Sequence, residues 1–175
     1  TISIAGDSGV GKDTLTNILK SAFGEKGTIV IAGDGYHKYE RNDSSWRVVT
    51  HLNPDANNLE IWASHLKTAI TRRKFQISEY NHENGRFFLN KIEKNGDLII
   101  SQGLHALYDQ VSRHSDLKIY LSMESKLKND LKISRDTTAR KQDLKSVKKK
   151  ISSRKYDYAK YIAPQSVGAD LLIHL

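Results

Sequence analysis

The sequence contains no cysteine. Disulfides, a thiolate nucleophile and thiol-based redox control are therefore excluded. It has two prolines and one methionine, and its hydrophobic residues, 38% of the total, are broken into short runs. None approaches the roughly 20 apolar residues that span a bilayer, so no membrane partner is expected. Repeats and low-complexity tracts are also missing. No initiating Met is present: the chain opens at Thr1 directly on an apolar strand and closes on another at Leu175. A domain excised from a longer polypeptide is the expectation, and the cytoplasm its expected location.

Acidic charge is in short supply too. Twenty Asp and Glu face 28 Lys and Arg, leaving a net charge of +8. An anionic partner is expected, and both nucleic acid and a polyphosphate small molecule qualify. Much of the excess lies between Lys141 and Lys155, including Lys148, Lys149 and Lys150. Such a run reads first as a solvated helix face. No aromatic residue interleaves with positions 141–150 as a base-stacking platform requires, so nucleic acid is not the expected partner.

What is present fits one domain of 175 residues with a sizeable core. Five apolar runs of strand length, Ile2–Ala5, Thr28–Ala32, Leu98–Ile100, Leu117–Leu121 and Leu171–Ile173, show little polar alternation. That pattern suits parallel strands covered on both faces. Leu15, Ile18, Leu19 and Ala22 recur at helical spacing, as do Leu59, Trp62, Ala63, Leu66 and Ile70. Asn57 or Asn58 is placed to cap the second helix. Residues Ser122 to Lys160 read as largely helical, with a break near Lys141–Asp143. Phe75–Tyr80 and Arg86–Ile92 are β-prone and flank Glu83-Asn84-Gly85, which predicts a small hairpin at the domain edge. Strands alternating with helices predict a doubly wound α/β domain with ligands at the carboxyl ends of the strands.

Directly after the first strand comes Gly6, Asp7, Ser8, Gly9, Val10, Gly11, Lys12, Asp13, Thr14. Gly6, Gly11 and Lys12 match the Walker A spacing. Glycines let the backbone curl so that successive N–H groups face phosphate oxygens, the helix start adds its dipole, and Lys12 adds a full charge. A strand before and an amphipathic helix after are the context this motif needs, and they predict ATP binding. Asp13 stands where the pattern has Ser or Thr, with Thr14 following. Either Thr14 takes the hydroxyl's place at Mg²⁺ or the Asp13 carboxylate does, since a carboxylate beside phosphates needs a cation between them. At the end of the second strand Asp34 faces the loop across the crevice. There it could accept a proton from an attacking hydroxyl, or simply cap a turn.

Four further segments decide between these readings. Thr50-His51-Leu52-Asn53-Pro54-Asp55-Ala56-Asn57-Asn58 resembles the THLNPxANN segment of phosphoribulokinases, and Tyr80-Asn81-His82 resembles another of that family's segments. Gln102-Gly103-Leu104-His105-Ala106-Leu107-Tyr108 is similar to its E-G-L-H-x-x-Y segment, and Lys132-Ile133-Ser134-Arg135-Asp136 with Arg140 to its K-x-x-R-D-x-x-x-R signature. In order and nearly end to end, the chain resembles the phosphoribulokinase and uridine kinase family of P-loop kinases, on the phosphoribulokinase side.

The resemblance implies a nucleoside monophosphate kinase-like P-loop fold: a mainly parallel five-stranded sheet between helices, a hairpin excursion and a basic helical lid over about 136–155, all in one domain. It implies ATP and Mg²⁺ as cofactors and a small anionic acceptor, with Asp34 as the base and Lys12 and Arg135 completing the catalytic set. By the same resemblance His37, Arg41, Tyr80, His82 and Lys132 bind the acceptor and its phosphate, and Arg140 joins the loop residues around ATP. Homo-oligomerisation or fusion to further domains is compatible with it.

The departures are local. Gln102 stands where that family carries Glu, so the implied metal set is Asp13, Thr14 and Gln102. Lys141, Asp143 and Lys145 replace a Gly, Ser or Thr, and Glu pattern, leaving a more basic lid without a glycine hinge. The expected activity is γ-phosphoryl transfer to a hydroxyl of a phosphorylated sugar or polyol. A uridine or cytidine kinase and a non-catalytic ATP-binding module are the alternatives, the first needing an aromatic clamp for a base and the second having no use for Asp34.

Overall fold

The computed structural model describes residues 1–71, 74–92 and 96–175. In chain order it builds β1 (Ile2–Gly6), α1 (Lys12–Phe23), β2 (Thr28–Ala32), α2 (Leu59–Ile70), β3 (Phe75–Asn81) and β4 (Arg86–Ile92). There follow β5 (Leu98–Gly103), α3 (Asp109–Ser112), β6 (Leu117–Ser122), α4 (Ser125–Thr138), α5 (Leu144–Ser153), α6 (Lys155–Asp157) and β7 (Leu171–His174). Five strands form one sheet in the order β2-β5-β1-β6-β7, and every pairing in it is parallel.

Alternate residues of the apolar runs serve opposite faces, which is why the runs show little polar alternation. Ala5, Ile29, Ile31 and Ile99 pack with Trp62, Leu66 and Tyr36 on one side. Ile4, Ile100, Ile119 and Leu121 pack with Val10 and with Leu15 and Leu19 of α1 on the other. The two clusters clamp the sheet and fix its register, so the loops after β1, β2 and β5 emerge side by side. Gln102 lies opposite both Ile4 of β1 and Ala32 of β2, at the centre of that edge.

The antiparallel β3–β4 pair forms a separate two-stranded sheet joined through His82–Gly85. It is held to the domain by a close approach at Gly35. A Cβ there would lie 1.9 Å from the Ser78 carbonyl oxygen, so only glycine lets the loop after β2 lie against β3.

Some boundaries differ from the expectation. The strand beginning at Leu98 runs on to Gly103, and Ser122 ends β6 instead of opening a helix. Asn58 occupies the first position before α2, but no side chain caps that helix. Asn57 is engaged elsewhere: its Oδ1 lies 2.7 Å from His37 Nδ1, and its Nδ2 donates to the carbonyls of Asn53 and His51. The helix break falls where expected, between α4 and α5, with the Asp143 carboxylate capping α5 through the Ser146 N–H at 2.9 Å. Among the described residues no helix is long and apolar enough to cross a membrane.

Candidate active site

The loop after β1 is shaped by its glycines. A Cβ on Gly6 (φ +150°) would meet the Leu121 carbonyl oxygen at 2.4 Å, and Gly9 and Gly11 hold φ of +95° and +88°. Left-handed backbone at these positions turns the chain into a cradle that L side chains would strain. Lys12 folds over it, its Nζ donating to the carbonyls of Gly6 at 3.0 Å and Asp7 at 2.9 Å. Burial lowers the Lys12 ammonium pKa against the opposing pull of Asp34, Asp13 and Asp7.

Asp34 follows β2 in a tight turn that Gly33 permits. Trp62 lies flat beneath: a Cβ on Gly33 would be 2.4 Å from its ring and one on Gly103 2.8 Å. His82, delivered by the hairpin, donates from Nε2 to Asp34 Oδ2 at 3.1 Å, while His37 Nε2 lies 3.7 Å from Oδ1. Crowding by protein would by itself raise the Asp34 pKa. The His82 hydrogen bond and the charges of His37, His82 and Lys12 outweigh it and hold the carboxyl well below the usual range. The side chain keeps 41% of its surface exposed, so a ligand hydroxyl can reach it. Tyr80 stands edge-on to both histidines, with ring centroids 6.3 Å from His37 and 5.1 Å from His82.

Arg41 is engaged differently from what the sequence suggests. Its guanidinium donates to the carbonyls of His82 and Glu83, and its stem packs beneath Gly85. In this arrangement it secures the turn that carries His82.

From the other side α4 lies across the loop. Lys128 pairs with Asp7 at 2.8 Å, and Lys132 Nζ and Arg135 Nη2 both donate to Ser8 Oγ, at 3.1 and 3.2 Å. Asp136 gathers the cations, lying 3.5 Å from Lys132, 2.9 Å from Arg135 and 3.4 Å from Arg140. The closing contacts thus begin at Lys128, ahead of the lid boundary near 136. Burial, reinforced by Arg154 and Arg135, pushes the Lys132 ammonium down to about 8 against Asp136 and Asp7.

Arg154, at the end of α5, was missed by sequence reasoning. It is half-buried, burial lowers its pKa, and Asp7, Asp136 and Asp34 are the carboxylates that oppose this. Its position within the lysine-rich run disguised it as part of a solvated face. The period of α5, which also buries Val147, was the signal available.

At the start of α1, Gln102 Nε2 donates to Asp13 Oδ1 at 2.9 Å. Thr14 is not part of this contact. It is exposed and lines a shallow groove with Asn17, Ile18, Ser21 and Ala22 along the outer side of α1. Of the three expected metal residues, only Asp13 and Gln102 come together. Among the described residues no group of three or more His, Cys, Asp and Glu side chains could hold a metal alone. Magnesium at a nucleotide takes most of its ligands from phosphates and water, so one carboxylate and one amide oxygen fit that need.

A glycine cradle between a parallel strand and a helix, faced by an acid from the next strand and covered by a basic helix, defines a P-loop kinase. The match to the Phosphoribulokinase / Uridine kinase family covers residues 1–175, and the chain belongs to that family. It is 36% identical over 176 residues to a phosphoribulokinase of Synechocystis sp., a match covering 99% of this chain and 53% of that protein. To the chloroplastic phosphoribulokinase of Chlamydomonas reinhardtii it is 32% identical over 192 residues, covering 99% and 51%. The chain spans about half the length of these relatives. Among solved structures, the phosphoribulokinase of Rhodobacter spheroides superposes with a TM-score of 0.74 at 21% identity, covering 99% of this chain and 68% of that one. A putative fructose transport system kinase from Silicibacter sp. gives 0.74 at 15% identity, covering 98% and 88%. At such identities these two superpositions speak for the fold.

Proposed function

We propose that the protein transfers the γ-phosphoryl group of ATP to a hydroxyl of a small, already phosphorylated sugar or polyol, with ribulose 5-phosphate the leading acceptor. The observation that carries this is Asp34: an ionised, reachable carboxylate fixed by His82 and near enough to Lys12 for the two charges to act on each other.

The cradle of backbone N–H groups and Lys12 hold the β- and γ-phosphates. The acceptor hydroxyl donates its hydrogen bond to Asp34, which aligns the oxygen lone pair on phosphorus. A bond forms from that oxygen to the γ-phosphorus as the bond to the β,γ-bridging oxygen breaks, ADP departs, and the hydroxyl proton passes to Asp34 and then to water. With its pKa held so low, Asp34 orients the hydroxyl and takes the proton late, as a loose phosphoryl transition state allows. Lys132, Arg135, Arg140 and Arg154 spread positive charge over the equatorial oxygens. His37, His82 and Tyr80 line the acceptor side, where the histidines suit a phosphate. Mg²⁺, with Asp13 and Gln102 beside it, would neutralise charge on the β- and γ-oxygens. The rings nearby pack on one another, Trp46 edge-on to His51 at 3.7 Å between centroids, His37 on His51 at 4.8 Å and Tyr36 flat on Trp62 at 5.4 Å, so these pairs leave no gap wide enough for a nucleobase between them.

A coupled ADP-release assay across ribulose 5-phosphate, other sugar and polyol phosphates, uridine and cytidine tests the reading. Turnover confined to phosphorylated acceptors supports it. Turnover with a nucleoside, or tight ATP binding without turnover on any acceptor, overturns it.

A further inference from the structure

The residue after the loop lysine is the one whose side chain ordinarily offers Mg²⁺ a neutral hydroxyl. Here it is Asp13, and the contact it makes is unusual for a carboxylate placed beside a triphosphate. Gln102, from the carboxyl end of β5, donates Nε2 to Asp13 Oδ1 at 2.9 Å. An amide donor turns and holds the carboxylate but adds no positive charge. Lys12 is directed at the loop carbonyls of Gly6 and Asp7 and forms no ion pair with Asp13. Asp13 Oδ2 and Gln102 Oε1 accept no hydrogen bond from any described residue. Two free oxygens and one full negative charge are therefore presented at the mouth of the phosphate cradle. Facing ATP alone, that charge is repulsive; with a divalent cation between, it is attractive.

Resting on the kinase reading above, we propose that Asp13 and Gln102 act as one composite metal-facing unit. The negative charge resides on the phosphate loop, and the strand supplies a neutral oxygen and the hydrogen bond that aims the carboxylate. Because the two side chains touch, a carboxylate placed on either one keeps the site charge unchanged. The pair therefore makes nucleotide binding conditional on the cation: Asp13 opposes metal-free ATP and favours the metal complex.

The test measures Mn²⁺ binding by electron paramagnetic resonance to the protein with a non-hydrolysable ATP analogue, and analogue binding in EDTA, with no acceptor or turnover needed. Asp13→Ser is expected to weaken Mn²⁺ binding about tenfold or more while metal-free analogue binding stays level or tightens. Adding Gln102→Glu to Asp13→Ser is expected to restore most of the Mn²⁺ affinity. Mn²⁺ affinity within about twofold of the parent in Asp13→Ser overturns the proposal. So does a parallel loss of metal-free and metal-bound affinity, which would mark damage to the loop, or failure of Gln102→Glu to restore binding. A parent protein that binds no nucleotide overturns this proposal and the kinase reading together. The expected metal pattern without turnover on any acceptor overturns the kinase reading alone.

Discussion

At the scale of single residues, the chemistry depends on how neighbours set charge. Lys132 is the clearest case, because burial and Arg154 bring its ammonium down to about 8. Only the protonated form can grip a phosphoryl oxygen, so kcat/KM should be level below pH about 8 and fall above it. Loss of this proton does not itself destabilise the fold. With the folded pKa below the ordinary 10.5, the unfolded chain binds more protons between the two values, so this group's contribution to stability rises with pH across that window. Lys132→Arg keeps its charge at alkaline pH and should remove the limb while lowering the plateau. A limb unchanged in that variant would assign it elsewhere. Asp34, held far below the usual carboxylate range, contributes no limb near neutrality.

Elements position these groups, and two junctions show how. Where the family pattern has glycine, Lys141 takes a left-handed backbone with φ of +51°, closing the end of α4 so that the Gln142 N–H reaches the Asp136 carbonyl at 2.9 Å. A side chain there costs about 1 kcal/mol. Lys141→Gly should therefore raise stability by about 0.5–1 kcal/mol in urea unfolding, and a loss of stability would contradict the strain. At the other junction, Gly35→Ala drives a methyl into the Ser78 carbonyl. It should cost about 3 kcal/mol and loosen the hairpin that brings His82 to Asp34.

The elements were largely legible in the sequence. The strands β1, β2, β5 and β6 show as apolar runs with little polar alternation, the hairpin as β-prone stretches around Glu83-Asn84-Gly85, and α1 and α2 keep their helical period. The last strand, β7, also reads as an apolar run, but as an edge strand it is largely exposed and not covered on both faces. Side-chain alliances across elements were not legible. Nothing local distinguishes Asn57 as a cap from Asn57 as the clamp on His37, or Arg41 as a phosphate ligand from Arg41 as the anchor of a turn. Thr14 illustrates the same limit: one step along a helix turns a side chain by about 100° and carries it off the site.

For the whole molecule, the parallel sheet gathers three loop ends at one edge, and α4 and α5 bring basic residues over them. Lys12, Lys132, Arg135, Arg140 and Arg154 converge on a space bounded by Asp7, Asp13, Asp34 and Asp136, an arrangement suited to a polyanion that arrives with a metal. Phosphoryl transfer at this edge is the central claim, and ³¹P NMR of the protein with ATP, Mg²⁺ and ribulose 5-phosphate tests it most directly. A second phosphomonoester resonance on the sugar should grow in step with ADP, and Asp34→Asn should slow it about 10²- to 10⁴-fold without loss of ATP binding. ADP appearing only with inorganic phosphate, or sugar phosphorylation undiminished in Asp34→Asn, would contradict it.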